Sequence, residues 1–187
     1  MKSYQITEWC AHFIRMHVSS GAFCIDATMG NGHDTLLLSR LAGERGKVLA
    51  FDIQERALVR TRLLLEKEHA PKNYRLILDS HTKMAEYTQS ASVDCIVFNF
   101  GYLPGGDHTL ATCAQSSIAA IALGLKLLKK GGLMSLCIYS GGDTGFDERD
   151  AILAFIQKLD SRQYLAIRSE YANRPNHPPI PVMIIRL

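Results

Sequence analysis

The sequence predicts an α/β domain built on an open, mostly parallel sheet with helices on both faces. Seven short apolar runs have the length of buried strands. Segments with helical spacing of apolar residues separate most of them, and this alternation favours parallel strands joined by crossover helices. Only a loop separates the last two runs, which predicts an antiparallel C-terminal hairpin.

The strands are predicted from continuous apolar stretches, each bounded by turn residues. They cover residues 22–25, 48–51, 74–78, 93–98, 133–139, 163–171 and 180–187, which gives a seven-stranded sheet.

The helices are predicted from apolar residues that recur every three or four positions. An opening amphipathic helix covers 6–17, and further helices cover 34–41, 54–69, 112–129 and 146–159. The helix at 112–129 is expected to end at Lys129-Lys130-Gly131-Gly132, because glycine commonly follows the last helical turn.

Composition indicates one globular domain over residues 1–187. Hydrophobic residues make up 47% of the chain and charged residues 21%, and the net charge of +3 is far from a dense basic surface. The five cysteines contain no C-x-x-C pair, so we expect no disulfide framework and no metal site. No signal peptide or membrane segment is recognised, and we expect a soluble cytoplasmic protein.

The turn after the first strand carries the most specific signal. It reads Asp26-x-x-x-Gly30-x-Gly32, and His33-Asp34-Thr35 follows at a helix start. The glycines allow a tight turn and close approach of a ligand, and the helix start offers free N–H groups. Asp52 ends the second strand 20 residues beyond Gly32, where a carboxylate can accept both ribose hydroxyls of a nucleoside. In the simpler alternative, Asp34 caps a helix and the glycines only turn the chain.

Two residues favour S-adenosylmethionine over a nicotinamide dinucleotide as the cofactor. The dinucleotide fingerprint requires Gly or Ala at its third position, where this chain has Thr35. Asp26 suits an ammonium group better than a pyrophosphate. Ile53 is placed to pack on the adenine, and Gln54 to hydrogen-bond nearby.

Polar residues also follow the third and fourth strands. Ser80-His81 could reach the adenine edge or be a solvated cap. The fourth strand runs into Asn99-Phe-Gly-Tyr-Leu-Pro-Gly-Gly-Asp107, at the edge where a substrate would meet the methyl group. The Asn99 side-chain carbonyl and the Phe100 main-chain carbonyl could direct an amine.

The rest of that loop supplies further candidates. Tyr102 could stack on a base and Asp107 could take the proton, and the alternatives are a core aromatic and an ordinary turn. Gly101 and Leu103 are predicted, with Phe100, to contact the substrate.

These segments resemble the small class I methyltransferases described as putative rRNA methylases, whose characterised members modify the tRNA wobble uridine. The resemblance covers nearly the whole chain and rests on residues 26–35, 51–54, 80–81 and 99–107, with Asn173 and Pro178-Pro179. It implies a Rossmann-like fold and methylation of the exocyclic amine of 5-aminomethyl-(2-thio)uridine in the anticodon region of tRNA. It also implies that Asn31, Asp34, Asp52, Gln54, Ser80 and His81 surround the cofactor.

The chain departs from the family in the turn after the fifth strand. Ser140 and Gly142 stand where relatives often carry histidines, and we assign them no role. The loop between the last two strands should emerge at the cleft, because the strand before it is parallel to the others. Arg174 and His177 could therefore contact the RNA, although a plain hairpin connection explains the loop as well.

Three other functions stay open. They are methylation of rRNA or another RNA, nicotinamide-dependent oxidoreduction, and non-catalytic RNA binding on a methyltransferase-like fold. The sequence leaves open whether the chain forms a homodimer.

Overall fold

The computed structural model describes residues 5–100, 114–140 and 145–187. Seven strands form one sheet in the order β3-β2-β1-β4-β5-β7-β6. Strands β1 to β5 are parallel, whereas β7 is antiparallel to both β5 and β6. The predicted α/β fold with a mostly parallel sheet and an antiparallel C-terminal hairpin is confirmed.

The strands are β1 (Phe23–Asp26), β2 (Lys47–Asp52), β3 (Tyr74–Leu78), β4 (Val93–Phe100), β5 (Leu128–Ile138), β6 (Tyr164–Arg168) and β7 (Ile180–Arg186). The α-helices are α1 (Ile6–His17), α2 (His33–Ala42), α3 (Glu55–Lys67), α4 (Ala114–Leu127) and α5 (Gly145–Gln157). A 3₁₀ helix, His81–Glu86, lies between β3 and β4 and was not predicted.

The prediction for the end of α4 was wrong. The helix stops at Leu127 and β5 begins at Leu128, so Lys129 and the Lys130-Gly131-Gly132 segment that was expected to follow the helix lie in a strand. Leu128 pairs with Val93 of β4, and Lys129 forms an ion pair with Asp94. These contacts with a distant strand override the local helical pattern, as tertiary packing often does.

Alternation of side chains along the strands produces a core on each face of the sheet. Ile25 and Phe51 pack on one face with residues of α4 and α5, such as Ile121 and Ile152. On the other face Cys24 packs with residues of α1 and α2. Because helices cover both faces of the sheet, the ends of its strands are where a ligand can reach it.

The carboxyl ends of the parallel strands meet at one edge of the sheet. The chain order reverses between β1 and β4, which is the switch point where open α/β sheets bind ligands. No helix in the described ranges is long and apolar enough to span a membrane.

Candidate functional site

The turn between β1 and α2 rests on the ends of the two neighbouring strands. The Ala27 N–H donates to the Val97 carbonyl of β4 at 2.9 Å, and the Met29 N–H donates to the Phe51 carbonyl of β2 at 2.9 Å. These two bonds extend the sheet pairing beyond Asp26. The turn therefore has a fixed position at the switch point, between β2 and β4.

Both glycines of the turn adopt positive φ angles, +51° at Gly30 and +84° at Gly32. Gly32 precedes α2 and is packed against α3 so closely that a Cβ would lie 2.9 Å from the Cα of Thr61. Its N–H donates to the Met29 carbonyl at 2.7 Å. Gly32 thus shapes the turn, because its side-chain position is filled by α3 and its donor is used within the turn.

Asp52 ends β2 and is held by backbone donors on both carboxylate oxygens. Oδ2 accepts from the Gly30 N–H at 3.0 Å, and Oδ1 accepts from the Gln54 N–H at 2.9 Å. Burial raises the pKa of this half-buried carboxyl, and the backbone donors and Arg56 oppose that rise. Each oxygen keeps a second lone pair, so the carboxylate can still accept hydroxyl groups from a ligand.

Asp26 and Asp34 form an acidic pair in which the charge of Asp34 acts on the carboxyl of Asp26. Asp26 is fully buried, and its Oδ2 accepts from the Thr35 hydroxyl at 2.6 Å while its Oδ1 accepts from the Thr28 N–H at 3.2 Å. Burial, followed by the negative charge of Asp34, raises the pKa of Asp26 to about 7. Burial also raises the pKa of Asp34. A cation near this pair would be stabilised by both carboxylates.

Asn99 of β4 is held against this acidic pair. Its Nδ2 donates to Asp34 Oδ2 at 2.7 Å, and its backbone N–H donates to the Thr28 hydroxyl at 2.8 Å. An ionised carboxylate only accepts hydrogen bonds, so the amide must turn its NH₂ group toward Asp34. The carbonyl oxygen Oδ1 is thereby directed away from Asp34.

The other residues predicted around the cofactor lie along the same edge, each with a partner. Asn31 Oδ1 accepts from Arg60 at 3.3 Å, and Gln54 Oε1 accepts from Arg56 Nε at 2.7 Å. Both side chains therefore keep their amide NH₂ groups as donors for a ligand.

Ser80 and His81 differ in how their polar atoms are satisfied. Ser80 caps the 3₁₀ helix by accepting from the Thr82 N–H at 3.2 Å. His81 packs edge-to-face on Phe98 with centroids 6.0 Å apart, and its Nε2 is buried with no partner in the part of the chain that the structure describes. Burial lowers the pKa of His81, opposed by a hydrogen bond with the Ala27 backbone. The burial thus favours the neutral imidazole, and one of its ring nitrogens has no partner in the described residues.

Several predicted site residues lie in a segment that the structure does not describe. Gly101, Tyr102, Leu103 and Asp107 lie outside the described residues. Phe100 is buried at the end of β4, and its carbonyl accepts from the Tyr139 N–H at 3.2 Å.

The C-terminal loop emerges at the same edge of the sheet. β7 begins with Ile180, which pairs with Ile138 near the carboxyl end of β5. Arg174 and His177 both line a cleft between this loop and α5. Arg174 and His177 therefore lie near the carboxyl end of β5 and not in the turn that holds Asp26.

Sequence reasoning missed Thr28, whose hydroxyl joins the glycine turn to β4. It stands two residues after Asp26, inside the motif, but nothing in its spacing marks a bond to a residue 71 positions later. Within the described ranges, no three His, Cys, Asp or Glu side chains are grouped so as to hold a metal ion.

Comparison with known proteins gives concordant matches. Residues 48–185 match the protein family described as putative rRNA methylases. A chloroplastic tRNA (mnm(5)s(2)U34)-methyltransferase from Arabidopsis thaliana is 34% identical over 178 residues, which are 90% of this chain and 65% of that protein. The match thus spans just under two thirds of the plant relative's own length.

Two solved structures are similar over their full lengths. One is a putative rRNA methylase from Clostridium thermocellum, with 36% identity, a TM-score of 0.95 and 100% coverage of both chains. The other is a putative methyltransferase from Streptococcus mutans in complex with SAH, with 37% identity, a TM-score of 0.89 and the same coverage. The family match covers well over half of the sequence, and the chain belongs to the putative rRNA methylase family.

Proposed function

We propose that this protein transfers a methyl group from S-adenosylmethionine to the exocyclic amine of 5-aminomethyl-(2-thio)uridine at the wobble position of tRNA. The observation that carries the proposal is the position of Asn99 beside the glycine turn, where its backbone N–H donates to Thr28 and its side-chain amide donates to Asp34. The plant relative supports the choice of substrate, and the SAH-bound Streptococcus mutans structure supports the choice of cofactor.

The residues at the strand ends fit S-adenosylmethionine. The Asp52 carboxylate is oriented by two backbone donors toward a pair of ribose hydroxyls. Ile53, 53% exposed directly after it, offers an apolar surface for the adenine. The unsatisfied Nε2 of His81 is a buried atom that a ligand could pair with, and the acidic pair can stabilise the methionine ammonium.

A pyrophosphate fits the same turn poorly. The Thr35 hydroxyl, at the position where a dinucleotide fingerprint has its third glycine, donates to the buried Asp26. Asp34 adds a second carboxylate within the turn's first helical residues. Two acidic groups would repel a phosphate pair, and this argues against a nicotinamide dinucleotide.

When bound, S-adenosylmethionine supplies a methyl group on a sulfonium centre. Asn99 Oδ1 then accepts a hydrogen bond from the substrate amine and holds its lone pair in line with the methyl carbon. The hydrogen bond to Asp34 orients the amide for this step. The Phe100 carbonyl, which already accepts from Tyr139, has a second lone pair for the same amine.

Two predicted roles rest on the sequence alone. Tyr102 is proposed to stack on the substrate base and Asp107 to accept the amine proton. Gly101 and Leu103 are proposed to border the same base.

The substrate assignment is tested by methyl transfer from labelled S-adenosylmethionine. Purified protein is incubated with tRNA that carries 5-aminomethyl-2-thiouridine, with the same tRNA lacking the aminomethyl group, and with ribosomal RNA. We expect label only in the first RNA, recovered as the methylaminomethyl nucleoside by mass spectrometry. Label in ribosomal RNA alone would replace the tRNA proposal with the activity that the family description names.

A further inference from the structure

We propose that the cleft between α5 and the loop at 169–179, hereafter the hairpin cleft, binds an RNA nucleotide that adjoins the methylated one. The inference rests on the proposed RNA substrate and assigns a second contact surface to it. The cleft has a volume of about 880 Å³, which suits a ligand larger than a single ion. Its lining includes Ser140, Arg149, Arg168, Tyr171, Arg174 and His177.

The hairpin cleft lies on the same edge of the sheet as Asn99. Ile180 lines the cleft, begins β7 and pairs with Ile138 of β5. The residue that follows Ile138, Tyr139, donates its N–H to the Phe100 carbonyl of β4. Two strand spacings separate β4 from β7, which is about 10 Å. The nucleotide next to the methylated one in the same RNA strand can span this distance while the methylated nucleotide occupies the Asn99 site.

The basic side chains of the cleft are not equally available. Arg149 pairs with Asp150, with Nε 2.7 Å from Oδ1, and Arg168 pairs with Glu170. Arg174 is exposed and makes no hydrogen bond or ion pair with any residue in the described ranges. The guanidinium of Arg174 is therefore the one best placed to take a phosphate.

The Phe146 ring lies beside the cleft, where it contacts two of the lining residues, Arg149 and His177. Phe146 is 41% exposed, and its ring meets that of His177 edge-to-face with centroids 5.3 Å apart. The Arg149 guanidinium lies 4.7 Å from the Phe146 centroid. An exposed aromatic ring beside arginines is the surface on which proteins stack an unpaired base.

The loop has a strained backbone at this contact. Asn176 and His177 have positive φ angles of +64° and +46°, and His177 directly precedes Pro178. A left-handed conformation is uncommon for residues other than glycine and is further disfavoured before proline. The backbone at His177 is therefore held in an unfavourable conformation at the place where its ring contacts Phe146.

A buried hydroxyl lines the same cleft. Ser140 is 6% exposed, and its Oγ has no hydrogen-bond partner within 5–100, 114–140 and 145–187. Buried polar groups are normally satisfied, so this atom indicates a ligand that donates to it or accepts from it. The nucleotide that stacks on Phe146 would reach Ser140 with its polar edge.

The test uses the full chain and an anticodon stem-loop RNA carrying 5-aminomethyl-2-thiouridine. Binding is measured by fluorescence anisotropy in the presence of S-adenosylhomocysteine, at several salt concentrations. We expect Phe146→Ala and Arg174→Ala each to weaken RNA binding about tenfold. Arg174→Ala should also lower the slope of log Kd against log salt by about 0.7, the value for one single-strand phosphate contact.

Matched controls separate a local contact from a loss of charge or of folding. Arg162 is exposed and pairs with Asp160 before β6, at the opposite edge of the sheet. Arg162→Ala removes the same charge and should leave both the affinity and the salt slope unchanged. Phe146→Trp keeps a stacking surface and should retain the wild-type affinity. Wild-type binding by Phe146→Ala and Arg174→Ala, or an equal loss in Arg162→Ala, would overturn the proposal.

Methyl transfer separates this inference from the proposed function. The free nucleoside 5-aminomethyl-2-thiouridine cannot reach the hairpin cleft, so Arg174→Ala should raise KM for the stem-loop and not for the nucleoside. If the wild-type protein methylates neither the stem-loop nor the nucleoside but Arg174→Ala still weakens RNA binding, the hairpin-cleft proposal is supported and the substrate assignment fails. If the wild-type protein binds no RNA, the cleft proposal fails as well.

Discussion

The side-chain amide of Asn99 donates to Asp34 at 2.7 Å, which connects the end of β4 to the first turn of α2. The same asparagine is anchored through its backbone N–H to Thr28. One backbone bond to the glycine turn and one side-chain bond to α2 thus hold Asn99 at the point where substrate and cofactor would meet. The alignment of the proposed methyl transfer depends on this connection rather than on a strong base.

Asn99→Ala is expected to lower kcat by about 10²- to 10³-fold, since it removes the group that aligns the amine. The affinity for S-adenosylhomocysteine should stay within about threefold of wild type, because Asp52 and the turn are untouched. Turnover is measured with the modified tRNA and affinity by calorimetry. Wild-type turnover in this variant would remove Asn99 from the mechanism.

Asp34→Ala tests whether the amide must be held. Without its partner, the Asn99 amide can rotate and present NH₂ to the substrate, so kcat should fall by about tenfold or more. The variant also removes one charge of the acidic pair, so cofactor affinity should fall with it. Loss of affinity with unchanged kcat would show that Asp34 serves only the cofactor.

Asp52→Ala is expected to weaken S-adenosylhomocysteine binding by about 30-fold or more. The variant loses the acceptors for the ribose hydroxyls and leaves the Gly30 and Gln54 N–H groups without their partner. Asp94→Ala is the matched control, because Asp94 pairs with Lys129 and the Phe23 N–H near the amino ends of the strands. Equal losses in the two variants, measured by calorimetry, would indicate general destabilisation instead of a ribose contact.

The sequence could predict that these residues meet at one edge because their positions are local to the strands. The glycine turn follows β1, and Asp52 and Asn99 lie at the carboxyl ends of β2 and β4, which parallel pairing brings to one edge. The contact of Asn99 with Asp34 joins residues 65 positions apart, and no spacing rule encodes a side-chain rotamer. The resemblance to the putative rRNA methylases is confirmed by the family match.

The C-terminal part was harder to predict for the same reason. The strand pattern gave the hairpin, but the contact of Phe146 with His177 depends on a strained loop and on where α5 packs. The end of α4 was misjudged because Leu128 is drawn into pairing with β4, a tertiary effect absent from local propensity.

Gly32→Ala is expected to destabilise the protein by about 2–4 kcal/mol. A methyl group would lie 2.9 Å from the Thr61 backbone, and the residue would also carry the cost of a positive φ. Gly21→Ala is the matched control, since Gly21 has φ +86° but nothing within 4 Å of the added Cβ. Its cost should be about 1 kcal/mol. Urea unfolding measures both, and equal losses would mean that the contact with α3 is unimportant.

Cofactor binding is expected to depend on pH through Asp26, whose pKa is raised to about 7. Below that pH the carboxyl holds a proton and cannot stabilise the methionine ammonium, so S-adenosylhomocysteine affinity should rise about tenfold between about pH 6 and pH 8. The same raised pKa makes the unliganded fold less stable as pH rises from the unfolded value of 3.8 toward 7, because the unfolded chain releases the proton first. Asp26→Asn keeps the shape and has no proton to release, so it should bind the ligand weakly at every pH. Calorimetry measures the affinity for S-adenosylhomocysteine across this pH range. A wild-type affinity that does not change with pH would mean that the ammonium is held without Asp26.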